Sequence, residues 1–121
     1  RIVLAMRQGP SRTPLLAIVA TEKAVAIEYE RKRPGELQWA DWTGRLRGQM
    51  RQAFAMLEER LAGDFLVGGR LTQADITTVA GIGFVRYVLP HEWPASDYPA
   101  LSGLADRLEA SAAFKAVPIE E

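Results

Sequence analysis

The segment Leu71-Thr72-Gln73-Ala74-Asp75-Ile76, with the apolar run that follows it to Leu89, constrains this chain more than any other stretch. Thr72 and Asp75 stand three apart. At that spacing the hydroxyl of a helix N-cap accepts the backbone N–H of the aspartate, while the carboxylate accepts the N–H of the cap residue. Leu71 and Ile76 flank the pair with the spacing of a hydrophobic staple, which sets the angle at which the chain enters the helix. Beyond this start, Ile76, Val79, Ala80, Ile82, Phe84, Val85 and Val88 leave no wide polar face. A helix apolar nearly all round belongs in the middle of a bundle. Gly81 and Gly83 each lower helix propensity by about 1 kcal/mol relative to alanine, and their presence predicts a close approach of neighbouring helices.

Composition narrows the functional classes. Fifteen basic and fifteen acidic side chains cancel, so no net field draws nucleic acid or an anionic membrane. Cysteine is absent and His91 is the single histidine. A disulfide framework, a thiolate metal site, a cysteine nucleophile and a histidine-based triad or metal site are therefore not expected. The longest uninterrupted apolar run, Leu15 to Ala20, falls far short of the roughly 18 residues of a membrane span. Arg1 to Met6 lacks the apolar length and the cleavage site of a signal peptide. The expected setting is cytoplasmic. Translated chains begin with Met and this one begins with Arg1, so it is expected to be part of a longer protein.

Taken in order, residues 1–13 read as the remnant of a linker or preceding element, closed by the helix-breaking Gly9-Pro10-Ser11, and residues 14–121 as one helical domain. A first helix runs from Pro14, suited to a first turn, to about Lys32. Its apolar residues Leu15, Ile18, Val19, Val25 and Tyr29 share one broad stripe that also carries Glu22. Arg33-Pro34-Gly35 ends it. A second helix starts between Trp39 and Asp41 and ends at Gly63, with Trp42, Leu46, Met50, Ala53, Leu57 and Leu61 recurring at three- and four-residue steps. Its arginines, without interleaved aromatics, read as a solvated or salt-bridged face. The paired Gly68-Gly69 make a turn and not a phosphate loop, because neither a preceding strand nor a Gly-Lys-Ser/Thr follows the required pattern. Pro90 ends the central helix, residues 91–97 form a loop, and Pro99 opens a helix with Leu101, Leu104, Ala105 and Leu108 on one side. Ala112 to Val117 form a final short turn anchored by Phe114. No stretch sustains strand alternation, so the class is all-α.

The passage Phe65-Leu66-Val67-Gly68-Gly69-Arg70-Leu71-Thr72-Gln73-Ala74-Asp75-Ile76 resembles the Phe-Leu-x-Gly…Thr-x-Ala-Asp-Ile segment of the glutathione transferase superfamily, which opens the buried core helix of its C-terminal domain. Tyr29-Glu30-Arg31, Trp42 through Leu57, Tyr98-Pro99-Ala100-Leu101 and Ala113-Phe114 extend the likeness from about Pro14 to Pro118. Many relatives carry proline where this chain has Ala112. The resemblance implies a helical bundle around a central buried helix, preceded in the whole protein by a thioredoxin-like domain that binds the co-substrate glutathione and activates its thiol.

It also implies roles for particular residues. Val25 and Tyr29, toward the end of the first helix, would wall the pocket of a small electrophilic substrate, and Tyr29 would offer its hydroxyl to developing charge. Ordinary bundle core is the competing reading of both. Glu22 is either a solvated or Lys23-paired acid at the edge of its stripe or, as in several transferase classes, a carboxylate reaching glutathione's amino group across a homodimer interface. No catalytic residue and no metal ligand is expected within this chain. Besides a transferase, two other readings stay open: a non-catalytic protein–protein interaction module of the same fold, and a ligand-carrying or unrelated helical bundle.

Overall fold

The computed structural model describes residues 12–61, 63–67 and 69–111. The described residues form four α-helices: α1 Thr13–Arg31, α2 Ala40–Arg60, α3 Gln73–Val88 and α4 Pro99–Glu109. Short 3-10 turns at Gly35–Leu37, Pro90–Glu92 and Ala95–Asp97 connect them. The all-α expectation holds, and the breaks fall where proline and glycine place them. The segment read as a loop after Pro90 instead contains two of these turns. The final short turn around Phe114 and the start of the chain lie outside the described residues.

α3 opens as its residues dictate. Thr72 is the N-cap in extended conformation and closes a capping box with Asp75. The carboxylate is the stronger half of that box. Its Oδ2 accepts the Thr72 N–H at 2.8 Å and the Thr72 hydroxyl at 3.2 Å, and the Asp75 N–H lies 3.1 Å from the Thr72 carbonyl oxygen. Oδ1 accepts the N–H of Leu66 at 2.8 Å. Asp75, fully buried, thus ties the preceding segment to the helix start as well as capping the helix. Leu71 and Ile76 stand exposed at this junction.

α1 packs against both α2 and α3, and α4 packs against α3 and α2. The shared core comprises Leu16, Ala17, Ala20, Ala24 and Ile27 of α1, Leu46, Met50, Ala53, Phe54 and Leu57 of α2, Val79, Ile82 and Val85 of α3, and Leu101, Leu104 and Ala105 of α4. Phe54, Trp93 and Tyr98 join this core as an aromatic cluster, with ring centroids 5.1 to 6.0 Å apart.

Two faces differ from their sequence reading. On α1 the alanine-rich side is buried, while Leu15, Ile18 and Tyr29 of the apolar stripe are exposed. Small residues let helices approach closely, so Ala17, Ala20 and Ala24 face the bundle together with Leu16 and Ile27, and Leu15 and Ile18 are left outside. Gly81 of α3 shows the same economy of space: a methyl group there would overlap Oγ1 of Thr21 on α1. α3 itself is central but not wholly enclosed, since Ile76, Ala80 and Tyr87 remain exposed.

Carboxylates bind the helices across long sequence separations. Glu58 of α2 accepts the N–H groups of Ala100 and Leu101, both at 2.8 Å, and so caps α4 from outside. Glu92 is buried and holds the Arg47 guanidinium, with Nε 2.8 Å from each oxygen and Nη2 at 2.7 Å. Glu30 accepts the Trp39 N–H at 2.7 Å at the entry to α2. That hydrogen bond, aided by Arg33 and opposed by desolvation, lowers the Glu30 pKa below its ordinary 4.5.

Candidate functional site

A groove of about 310 Å³ runs between α1 and the first turns of α3, lined by Ile18, Thr21, Glu22, Val25 and Thr77. The spacing of its α1 members, 18, 21, 22 and 25, places them on one helical face. That face turns outward because the alanines at 17, 20 and 24 occupy the inward one. Thr77 faces it from the turn that the Thr72–Asp75 box fixes. Thr21 forms its closest link to the core: its hydroxyl donates to the Ala17 carbonyl at 2.9 Å, and its Oγ1 occupies the space that the missing Gly81 side chain leaves.

Two of the residues singled out from sequence, Glu22 and Val25, meet in this groove. Tyr29 does not line it. It lies one turn further along α1 and is 70% exposed, which removes the bundle-core reading for its ring. The carboxylate of Glu22 is exposed and makes no hydrogen bond or ion pair among the described residues. Pairing with Lys23 is therefore absent, and an uncompensated acid sits on an otherwise apolar wall. Thr21 and Thr77 were not anticipated. Thr21 was legible as the neighbour of Glu22 at helical spacing from Ile18 and Val25, whereas nothing local in the sequence brings Thr77 to α1.

Several other titratable groups are engaged structurally. Arg47 and Arg51 face Glu92, and Arg86 stands 3.0 Å from Asp106 and 5.9 Å above the ring of Trp93. Burial raises the pKa of Tyr98, whose hydroxyl donates to the Arg51 carbonyl at 3.1 Å. His91 lies exposed in the turn after α3, 3.6 Å from Glu92. Among the described residues no group of three or more His, Asp or Glu side chains converges on a metal position, and no helix is long and apolar enough to cross a membrane. The geometry thus provides a shaped, mainly apolar recess that carries one carboxylate and two threonine side chains.

Comparison with known proteins agrees with this architecture. The family model described as "Glutathione S-transferase, C-terminal domain" matches residues 40–107. A crystal structure of a glutathione S-transferase from Methylobacterium radiotolerans, in complex with glutathione sulfonate, superposes with a TM-score of 0.82 at 28% sequence identity. The alignment covers 93% of this chain and 54% of that one, so the present chain spans about half the length of that relative. No curated protein matches.

Proposed function

Since the chain belongs to the glutathione S-transferase family through its C-terminal domain, we propose that it forms the electrophile-binding wall of a glutathione-conjugating enzyme. The observation that carries this reading is the groove of Ile18, Thr21, Glu22, Val25 and Thr77. It is apolar, open to one side and built on two helices that the core holds rigidly, as an orienting surface needs to be.

In this reading the thiol chemistry belongs to a thioredoxin-like domain upstream. A hydrogen bond there lowers the glutathione thiol pKa, so that thiolate predominates near neutral pH. The sulfur forms a bond to the electrophilic carbon as the bond to the leaving group breaks. The helical domain contributes by holding the apolar body of the electrophile, converting the encounter into an oriented reaction. Val25 provides wall, and Tyr29 extends the surface at its rim, with a phenol available to developing negative charge. Glu22, lacking an internal counter-charge, is suited to an ammonium group such as glutathione's amino terminus, presented by the partner of a homodimer. The exposed stripe of Leu15, Ile18 and Tyr29 on α1 supports the same arrangement, because an apolar surface of this kind calls for a covering domain or subunit.

Conjugation of glutathione to a chloronitrobenzene electrophile tests this, comparing the full-length gene product with the 121-residue chain. Activity in the longer protein and none in the shorter is the expected result. Failure of the longer protein both to conjugate and to bind glutathione would overturn it in favour of a protein–protein interaction module. A monomeric mass by light scattering at micromolar concentration would remove the dimer, and with it the cross-subunit role of Glu22.

A further inference from the structure

The contact between Gly81 and Thr21 lies directly behind the groove. Thr21, which lines the groove, occupies the space in front of this backbone position of the central helix. A Cβ at position 81 would overlap Thr21 Oγ1 and would stand 3.5 Å from its Cβ and 3.9 Å from its Cα. Oγ1 is not the far end of a flexible chain. A helical threonine has two usable rotamers, both set by hydrogen bonding to the preceding turn, and here the hydroxyl is already held by the Ala17 carbonyl at 2.9 Å. A methyl group at 81 therefore has two ways to be accommodated. Thr21 swings, carrying its side chain toward the groove, or α1 moves away from α3 and the groove changes width. Either way the change appears on the ligand side of α1, although residue 81 is itself buried behind it.

We infer that Gly81 is a specificity-determining position for the electrophile: by leaving Thr21 seated against α3, it sets the depth of the groove and so the bulk of the apolar group the groove admits. It acts through Thr21 and is a positioning residue. This inference rests on the reading of the groove as the electrophile wall.

The test uses the full-length protein and equilibrium binding of two product analogues, S-methylglutathione and S-hexylglutathione, which share the peptide and differ in apolar length. Gly81→Ala is expected to weaken the hexyl conjugate by about fivefold or more, equivalent to displacing one or two methylene groups from contact, while the methyl conjugate changes less than about twofold. Adding Thr21→Ala to Gly81→Ala removes the overlapping hydroxyl and is expected to restore hexyl binding. Val25→Phe, which fills the groove from α1 without involving residue 81, serves as the separate control and is expected to reproduce the length-dependent loss. If Val25→Phe weakens the hexyl conjugate selectively but Gly81→Ala does not, this inference falls and the wall reading stands. If Val25→Phe shows no length dependence, the wall reading falls and takes this inference with it. An equal loss for both conjugates in Gly81→Ala, or a loss that Thr21→Ala fails to reverse, would also overturn the proposal. Should Gly81→Ala not fold, Thr21→Leu, which adds bulk at the same seat, must give the selective loss.

Discussion

Removal of the Asp75 carboxylate is the most direct test of how the central helix is held. Its two oxygens accept the N–H groups of Leu66 and Thr72, each at 2.8 Å, from a side chain with no solvent exposure. In Asp75→Ala the Leu66 N–H loses its partner in a buried setting, a penalty of about 1–3 kcal/mol. Loss of the cap on Thr72 adds about 1 kcal/mol, so the sum is about 3 kcal/mol. With a urea slope of about 1–1.5 kcal/mol/M for a domain of this size, the unfolding midpoint should fall by about 2–3 M. Thr72→Ala should cost less, about 1 kcal/mol, because it removes the hydroxyl's half of the capping box and leaves the carboxylate on the N–H groups of Leu66 and residue 72. Asp75→Asn should fall between them at about 2 kcal/mol, since its amide oxygen serves one N–H and its NH₂ confronts the other. Urea unfolding followed by far-UV circular dichroism measures all three. If Asp75→Ala proved no more costly than Thr72→Ala, the bridge to Leu66 would carry no energy and the reasoning would fail.

Two further predictions concern single polar groups. The Thr78 hydroxyl is buried without a hydrogen-bond partner among the described residues, so Thr78→Val should be neutral or stabilising by up to about 1 kcal/mol; a clear drop in melting temperature would mean that the hydroxyl is bonded after all. Glu30 has a folded-state pKa below 4.5 because of the Trp39 N–H, so it binds protons less readily folded than unfolded. Its contribution is present above the unfolded value and disappears as pH falls through 4.5 and then through the folded value. Glu30→Gln keeps an acceptor for Trp39 and should flatten the acid limb of stability against pH; an unchanged limb would exclude Glu30 from it.

The division between sequence and tertiary structure follows the range of the interactions. Helix existence and helix ends were legible because their causes are local. Thr72 and Asp75 lie within one turn of each other, Pro14 and Pro99 sit in first turns, and Arg33-Pro34-Gly35 interrupts the backbone where it stands. The family resemblance lay in the same local signature. The inward face of α1 was a different matter, because hydrophobicity favours Leu15, Ile18 and Tyr29 while close packing against two helices favours Ala17, Ala20 and Ala24. That choice depends on the distance between helix axes, which no short window contains. Folding also decided that Glu58 caps α4 and that Asp75 reaches back to Leu66, since each joins groups separated along the chain. The groove belongs to this second class. Glu22 and Val25 share it through helical spacing alone, but Thr77 arrives from α3, and the seat of Thr21 exists because residue 81, sixty positions away, carries no side chain.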